Sequence, residues 1–378
     1  MADEFGFSGS SLAWLGSYLS QHQQYVLLNS IKSHTSTLTD GVPQGSVLGP
    51  LLFSAYLSPK SHLVDSFRLL HHIYADDTTL LVSFDPTLFP LKLLNDCTVA
   101  LSNWLMFNGL LLNPSKSEVM WVGTSSQLRT ASTYDQDLKI ADIHINPSSS
   151  LKVIGVIFDN QLTFSPHISN LCQSVNYHLR ALTHIRRSLD MQTANMLATS
   201  IIGSRVDYCN SLFSGITDHN ILRLQRLQNR AAKIVTNSKG RVSTAPLLRQ
   251  LHWLPIPNRI DFKIAVLTFK VLTSQQPSYL NSLLIPYTST RNLRSSDQHL
   301  LSVPRSKTVF QSRAFSVYAP KLWNRLPQSL RDLAFNTQPP TPLKATSSPF
   351  LDPSSNISTF KTNLKTFLFD CPPKFLVP

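Results

Sequence analysis

Two adjacent carboxylates, Asp76 and Asp77, stand between short apolar runs near the front of the chain. Residues 73–74 precede them and residues 80–82 follow, so the pattern predicts a β-hairpin whose turn is Ala75-Asp76-Asp77. Adjacent acids at the tip of a buried hairpin repel each other and lose solvation. Mg²⁺ relieves both costs, and its binding to carboxylates and substrate phosphates is typical of phosphoryl transfer. The alternative is a solvated turn, since short turns favour aspartate for backbone reasons.

A loop rich in glycine and proline lies upstream of the acidic pair. Residues 41–50 contain three glycines and two prolines, and an apolar stretch follows. The pattern predicts a shaped loop that leads into a helix with Pro50 in its first turn. Gly45 lets the backbone pass close to another surface, and Gln44 can donate and accept hydrogen bonds at a base or sugar edge. The alternative is an ordinary joint between a loop and a helix.

The order and spacing of these two stretches carry a family resemblance. Gly41-Val42-Pro43-Gln44-Gly45-Ser46, followed by Tyr74-Ala75-Asp76-Asp77, resembles the reverse transcriptases of non-LTR (LINE-type) retrotransposons. The resemblance implies an RNA-directed DNA polymerase whose partners are an RNA template, a DNA primer and deoxynucleoside triphosphates. It implies that both aspartates hold Mg²⁺, with Mn²⁺ as the alternative ion. The residues that it assigns to template and nucleotide binding are Pro43, Gln44, Gly45, Tyr74 and Ala75.

Two later segments extend the resemblance. Residues 102–118 look like the family's helix and loop that carry a lysine, and by analogy Lys116 faces the leaving pyrophosphate. A surface lysine in a turn is the alternative, and a palm strand is predicted next, over residues 119–122. Residues 151–160 predict strand, turn and strand, and they resemble the primer grip, although packing alone also explains their apolar residues. The residues assigned to this grip are Ile154, Gly155 and Val156.

Helical spacing dominates the middle of the chain. Apolar residues recur at that spacing over 168–185 and predict the first helix of a thumb, which further helices over 191–206 and 221–235 continue. The last of these alternates core positions with cations that could follow nucleic-acid phosphates and make binding salt-dependent. A solvated helix face is the alternative. The residues assigned to this backbone contact are Arg223, Arg226, Arg230 and Lys233.

Charge is divided unevenly along the chain. Residues 1–120 carry five Lys or Arg and nine Asp or Glu, whereas the rest carry 29 and 12. An acidic front beside a basic rear suits a metal-holding half joined to a half that binds a polyanion. Within residues 291–332, cations alternate with aromatic residues, as in single-stranded or structured RNA contact. The alternative is that the aromatic side chains form a small core. They are Phe310, Phe315, Tyr318 and Trp323.

Composition limits the cellular context. Hydrophobic residues make up 42% of the chain, and the four cysteines are scattered without a C-x-x-C pair. Reduced thiols are therefore expected, without a disulfide framework or a zinc site. The apolar runs are too short to span a bilayer, and the first residues lack an apolar signal region. We expect an intracellular protein of the nucleus or cytoplasm, not a secreted one. The sequence does not indicate an oligomeric state.

The expected fold class is α+β. It consists of a partial polymerase palm, an antiparallel sheet with helices, followed by a helical thumb and a basic, mainly helical C-terminal region. The predicted divisions are 1–165 for the palm with the primer-grip-like hairpin, 166–240 for the thumb, 241–334 for the basic region, 335–356 for a flexible loop rich in Pro, Ser and Thr, and 357–378 for a terminal helix and tail.

Polymerases of the resembled family use three carboxylates, and the resemblance puts the third, with the fingers, before Met1. We therefore expect a fragment that lacks its N-terminal part and does not polymerise alone, because two metal ions about 4 Å apart need ligands on both sides. A second class of function is nucleic-acid binding without catalysis, as a remnant or a domesticated fragment. A translated remnant without function is the third.

Overall fold

The computed structural model describes residues 5–38, 41, 45–85, 90–131, 138–140, 143–288, 298–335 and 354–371. The chain divides into two compact units, Met1–Ser149 and Ser150–Pro378. The first unit combines short hairpins with helices, and the second is mainly helical. Mixed helices and small antiparallel sheets agree with the α+β class.

The first unit begins with a helix and small hairpins. Its described elements are α1 Gly9–Leu19, β1 Gln23–Gln24, β2 Leu27–Leu28, β3 Ile31–Lys32, β4 Ser36–Thr37, α2 Gly49–Leu57, α3 Pro59–Ser66, β5 Leu70–Tyr74, β6 Asp77–Leu81, α4 Leu91–Phe107, α5 Ser125–Ala131, β7 Lys139–Ile140 and β8 Ile143–His144. Pro50 occupies the first turn of α2, as predicted. A proline fits there because its missing N–H would lack an intrahelical partner anyway.

The core of the first unit is small. Leu94, Cys97 and Leu101 form the buried face of α4, and Val64 of α3 and Leu69 join them. Leu80 of β6 packs against this cluster from one side of the acidic hairpin. Because residues alternate between the two faces of a strand, this contact decides which hairpin residues face outward.

Strands in this unit pair only locally. The pairs are β1 with β4, β2 with β3, β5 with β6 and β7 with β8, each antiparallel. Residues 119–122 form no strand, so that prediction is wrong. The apolar run there is accounted for by packing, since Val119 lies against the small core. Within the described residues the strands of this unit therefore form separate two-stranded sheets.

The second unit begins with a hairpin and continues with helices. Its described elements are β9 Ser150–Val153, β10 Val156–Asp159, α6 Ser165–Ile185, α7 Met191–Leu197, a π-helix Ala198–Gly203, α8 Ser204–Asp207, α9 Asp218–Val235, α10 Thr244–Gln250, α11 Ile256–Ser274, α12 Ser278–Asn281, α13 Val309–Ser312, α14 Phe315–Arg325, α15 Gln328–Arg331 and α16 Ser354–Asp370, with short 3₁₀ turns between them.

The predicted helical spacing is confirmed in α6 and α9. Leu171, Val175 and Leu179 of α6 are buried, and so are Leu224 and Leu227 of α9. The two helices pack against each other over much of their length. A buried apolar stripe is what makes an amphipathic helix stable in a folded chain, because propensity alone is weak.

The hairpin of β9 and β10 packs against α6, so it lies in the second compact unit. Val156 is 2% exposed and belongs to the same core cluster as Phe164 and Ile168. The predicted division at residue 165 stays a prediction, while the boundary between the compact units falls at Ser149–Ser150.

Aromatic side chains complete the core near the end of the chain. Trp323 is fully buried, and its indole N–H donates to the backbone oxygen of His299 at 3.0 Å. Phe360 of α16 stacks on Phe269 of α11 with ring centroids 4.2 Å apart. Only the start of residues 335–356, at Phe335, and their end, at the beginning of α16, fall within the described residues. In the described part of the chain, every helix is too short or too polar to cross a bilayer.

Candidate functional site

The acidic hairpin turns over two residues, Ala75 and Asp76. Asp77 is the first residue of β6 and pairs with Tyr74, so the predicted three-residue turn is one residue too long. Because Tyr74 and Asp77 are partners across the two strands, only the two residues between them form the turn. Ala75 has φ 51°, in the left-handed region that residues with a Cβ rarely adopt. Strain of this kind often accompanies a functional site.

The two faces of this hairpin differ. Tyr74 and Asp77 lie opposite each other, both are exposed, and they share one face. Ile73, Thr78 and Leu80 are partly buried and lie on the other face, toward α3 and α4. Asp76, at the turn, is exposed as well. The hairpin therefore presents both carboxylates to solvent while its opposite face is fixed by packing.

Both carboxylates keep their oxygen lone pairs available. Within the described residues, neither Asp76 nor Asp77 accepts a hydrogen bond or forms an ion pair at contact distance. By contrast, the Asp65 carboxylate of the same unit lies 3.6 Å from His71 Nδ1. An unpartnered pair of acids on a fixed hairpin is thus suited to bind a cation from solution.

Lys60 is a residue of this site that the sequence analysis missed. It is 3% exposed, and its Nζ donates to Thr78 Oγ1 at 2.6 Å. Burial lowers the pKa of Lys60, and the negative charge of Asp76 opposes that shift. The ammonium group therefore lies behind the strand that carries Asp77 and offsets part of the carboxylate charge. A single lysine at the start of a helix gives no sequence signal for such a role.

Lys116 lies on the surface of the same unit. It ends a 3₁₀ turn, Pro114–Lys116, which Asn113 caps by accepting from the Ser115 N–H at 3.1 Å. The side chain is exposed, and among the described residues it forms no ion pair with Asp76 or Asp77. Its role toward a pyrophosphate stays a prediction.

The loop before α2 is described only in part. Pro43 and Gln44 lie outside the described residues. Gly45 has φ 89°, a conformation that favours glycine, and a Cβ added there would meet no neighbour within 4 Å. Ser46 accepts from the Gly49 N–H at 3.1 Å through its Oγ, and it is hydrogen bonded to Tyr18. The loop is therefore tied to α1 and α2 by one serine.

The second hairpin differs from the first at its tip. Ile154 and Gly155 form its two-residue turn with φ 43° and 81°, and both are exposed. The Tyr208 hydroxyl donates to the Ile154 backbone oxygen at 2.6 Å, so the turn is anchored to the helical unit. Val156, the third residue assigned to the primer grip, lies in the core. Only Ile154 and Gly155 present an accessible surface.

The cations assigned to nucleic-acid backbone contact on α9 are largely engaged within the protein. Arg223 donates to Asn220 Oδ1 at 3.3 Å and to Ser169 Oγ at 3.0 Å. Arg230 donates to Asn176 Oδ1 at 3.2 Å, and Lys233 donates to the Gly240 backbone oxygen at 3.3 Å. Arg226 is exposed and has no protein partner among the described residues. Of the four, Arg226 is the one that the fold leaves free.

The aromatic residues of the C-terminal region mostly serve packing. Trp323 is buried, and Phe315 and Tyr318 pack against the main core, whereas Phe310 is 56% exposed. Three of the four rings therefore belong to or pack on the core, as the alternative predicted, and the fully buried Trp323 ring cannot stack on RNA. The sequence could not distinguish the two, because alternating cations and aromatics fit both.

The donor chemistry of the acidic hairpin fits a hard divalent cation in part. Asp76 and Asp77 supply carboxylate oxygens, which Mg²⁺ and Mn²⁺ prefer, from adjacent positions of one hairpin. In the described residues, no group of three or more His, Cys, Asp or Glu is arranged to hold a metal ion. The two aspartates can thus provide one side of a coordination shell, the remainder being water, substrate oxygens or further ligands.

The acidic hairpin lies within a stretch of the chain that matches a known protein family. Residues 2–158 match the family described as reverse transcriptase (RNA-dependent DNA polymerase). This stretch contains the glycine-rich loop, the acidic hairpin and Lys116, and it ends within β10.

Three relatives from Drosophila melanogaster are similar over most of the chain. The probable RNA-directed DNA polymerase from transposon BS is 27% identical over 255 residues, which are 65% of this chain and 28% of the relative. The corresponding protein from transposon X-element is 26% identical over 65% of this chain and 27% of its own length. The RNA-directed DNA polymerase from mobile element jockey is 24% identical over 62% and 26%. The chain spans little more than a quarter of these relatives.

Proposed function

We propose that this chain, which carries a reverse transcriptase domain at residues 2–158 and is homologous to non-LTR retrotransposon polymerases, is part of an RNA-directed DNA polymerase. Its substrates in an intact enzyme are an RNA template, a DNA primer and deoxynucleoside triphosphates. The observation that carries the proposal is the pair Asp76 and Asp77, two exposed and unpartnered carboxylates on a hairpin fixed by packing.

Each part of the hairpin has a separate task in this proposal. Asp76 and Asp77 hold a divalent cation through their carboxylate oxygens. When bound, Mg²⁺ or Mn²⁺ supplies the positive charge that offsets charge developing on the transferred phosphoryl group. Leu80 fixes the strand on the core of the first unit, and Thr78, bound to Lys60, fixes it from α3. Tyr74 lies beside Asp77 on the exposed face, where a nucleotide or primer end would approach.

The proposal includes an expectation for the isolated chain. Both carboxylates come from one hairpin, while two ions about 4 Å apart need ligands on both sides. The chain alone therefore binds a cation weakly and extends no primer. Primer extension on an RNA template with Mg²⁺ or Mn²⁺ tests this point. Synthesis that disappears in Asp76→Ala would contradict it, whereas synthesis that persists in that variant would come from a contaminating polymerase.

Cation binding by the hairpin is the sharper test. We expect Mn²⁺ to bind the full chain, as measured by water proton relaxation, and the binding to be lost in Asp76→Asn and Asp77→Asn. The matched control is Asp96→Asn, because Asp96 is an exposed acid of the same unit that pairs with Lys92 at 3.0 Å. Equal loss in all three variants, or in none, would refute a metal site at the hairpin.

A second candidate function is nucleic-acid binding without catalysis. The observation that favours it is the charge of the second unit, in which residues 150–378 carry 27 Lys or Arg and nine Asp or Glu. It predicts RNA binding that survives Asp76→Ala and Asp77→Ala but is lost when Arg223, Arg226 and Arg230 are replaced together. Arg223 and Arg230 also donate to side chains of α6, so their replacement disturbs the fold. Arg226→Ala leaves those bonds in place and therefore tests the loss of an RNA contact alone.

A further inference from the structure

A basic pocket lies in the second unit beside α14, far along the chain from the acidic hairpin. Its volume is about 170 Å³, several times the space of one water molecule, and it is open to solvent. The side chains that line it include three cations, a tyrosine and a serine, but no acid. The lining residues are Gly215, Ser312, Arg313, Tyr318, Lys321, Leu322 and Arg325.

Arg313 forms the fixed wall of this pocket. Its Nε donates to the Ser214 backbone oxygen at 3.1 Å, and its Nη1 donates to the Leu162 backbone oxygen at 3.0 Å. The guanidinium also lies 5.6 Å from the centre of the Phe164 ring. Its Nη2 donates to no described residue. One nitrogen of a rigidly held guanidinium is thus left for a ligand.

Gly215 makes room for that arginine. A Cβ added at Gly215 would lie 2.7 Å from Arg313 Cγ, closer than real Cβ contacts allow. Gly215 also has φ 64°, so a side chain there would be strained in any case. The glycine therefore lets the Arg313 side chain run along the backbone and turn its guanidinium into the wall of the pocket.

Lys321 and Arg325 form the open rim. They are four residues apart on α14, so they lie on one face of that helix, and both are exposed. Neither has a hydrogen bond or an ion pair with a described residue. Two like charges at this spacing repel each other slightly, so without an anion the arrangement costs free energy.

Two acids lie close to the pocket, and the negative charge of Asp159 opposes the lowering of the Arg313 pKa by burial. Asp159 accepts from the backbone N–H groups of Thr163 and Phe164, and Asp261 accepts from the Tyr318 hydroxyl at 2.7 Å. Burial, followed by the charge of Asp261, holds the pKa of Tyr318 far above its ordinary value. Tyr318 is therefore neutral and adds no negative charge to the pocket.

We propose that this pocket binds a phosphate group of a nucleic-acid strand, with Arg313 as the fixed donor and Lys321 and Arg325 as the flexible ones. The open rim lets the strand continue on both sides of the bound phosphate. The basic excess of the second unit attracts a polyanion more strongly than a single free phosphate. The site lies outside residues 2–158 and acts independently of Asp76 and Asp77.

The test is binding of a short single-stranded RNA to the full chain as a function of salt. Lys321→Ala/Arg325→Ala removes two exposed cations from the rim. The control is Lys270→Ala/Lys361→Ala, which removes two exposed cations from α11 and α16. Each lost phosphate contact lowers the slope of log affinity against log salt by about 0.7, so the rim variant, which weakens the contact to one phosphate, loses up to about 0.7. The control variant loses less than half of that.

Three outcomes decide the proposal. A lower slope in the rim variant alone supports it. Equal losses of slope in both variants show a diffuse electrostatic effect and overturn the proposal. RNA binding that neither variant changes, or an absence of RNA binding, also overturns it.

Replacing chloride by inorganic phosphate at equal ionic strength distinguishes the ligand's source. If inorganic phosphate weakens RNA binding by the wild type but not by the rim variant, the phosphate pocket is supported. If inorganic phosphate leaves RNA binding by the wild type unchanged, the proposal is contradicted. RNA binding is measured without divalent cations, so this proposal and the metal site can fail separately.

Discussion

The two hairpins of this chain share a fold but differ in what surrounds them. Each has two antiparallel strands and a two-residue turn that begins with a residue in the left-handed region, Ala75 in one and Ile154 in the other. The first exposes two carboxylates without protein partners. The second buries Val156 in a large core and has its tip anchored by Tyr208. Local geometry is thus alike, and the surroundings separate a candidate ligand site from a structural support.

The same contrast holds for the two units. The core of the first contains few buried residues around α3 and α4, whereas that of the second extends from β10 to α16. A larger core buries a greater share of the chain's surface, so buried side chains of the second unit contribute much to stability, whereas the exposed carboxylates of the acidic hairpin add little packing. Changes to the second unit should therefore act on stability, and changes to the acidic hairpin should act on ligand binding.

The largest expected effect on stability comes from removing a buried side chain from the core of the second unit. Trp323→Ala removes a fully buried ring and its N–H bond to His299, so it should destabilise the second unit by about 3–5 kcal/mol. Hydrogen exchange of the β9–β10 amides should accelerate, while that of the β5–β6 amides stays unchanged. Phe310→Ala, at an exposed ring, is the control and should change stability by less than about 0.5 kcal/mol. Equal acceleration in both hairpins would show that the units are not separate.

A smaller effect is expected at the tip of the second hairpin. Tyr208→Phe removes the hydrogen bond to the Ile154 backbone oxygen and should cost about 1 kcal/mol. The matched change in the first hairpin is Tyr74→Phe at an exposed position, which should leave stability unchanged. Urea unfolding curves of both variants measure the difference. If both substitutions lower the free energy of unfolding equally, the hydrogen bond of Tyr208 does not distinguish the two hairpins.

The sequence predicted much of this contrast but not all of it. Helical periodicity identified α6 and α9 because their apolar residues face one core. The apolar runs on both sides of Asp76 and Asp77 predicted the β5–β6 hairpin, while the role of the two acids as cation ligands stays a prediction. The predicted turn is one residue too long, because Asp77 pairs with Tyr74 and the register of a hairpin depends on the length of its turn.

Other features depended on tertiary contacts. Lys60 is buried only because Thr78 of a neighbouring strand reaches its ammonium group. Trp323 and Tyr318 fit the sequence pattern of an RNA contact, but Trp323 is buried and Tyr318 packs against the same core. The strand expected over residues 119–122 is replaced by loop backbone packed on the small core. A single sequence cannot show which of several apolar or cationic residues meets a partner far along the chain.

The smallest expected effect concerns Lys60 and pH. Burial lowers its pKa from the ordinary 10.5, so the unfolded chain binds more protons between the folded pKa and 10.5. Stability of the first unit should therefore rise with pH in that window, where the buried ammonium is neutralised. Lys60→Met should remove this rise, measured as the difference between wild-type and variant unfolding curves at each pH. If the stability of the wild type relative to the variant falls as pH rises, the charge of Asp76 outweighs burial in setting the Lys60 pKa.

The central claim is that the acidic hairpin, and not the second hairpin, binds a divalent cation. Titration of Mn²⁺ into the full ¹⁵N-labelled chain tests it directly, because bound Mn²⁺ broadens amide signals near it. We predict broadening at Tyr74, Asp76 and Thr78 that is stronger than at Ile154 or Val156, and loss of the effect in Asp77→Asn. Broadening that is equal in both hairpins, or that survives in Asp77→Asn, would contradict the account.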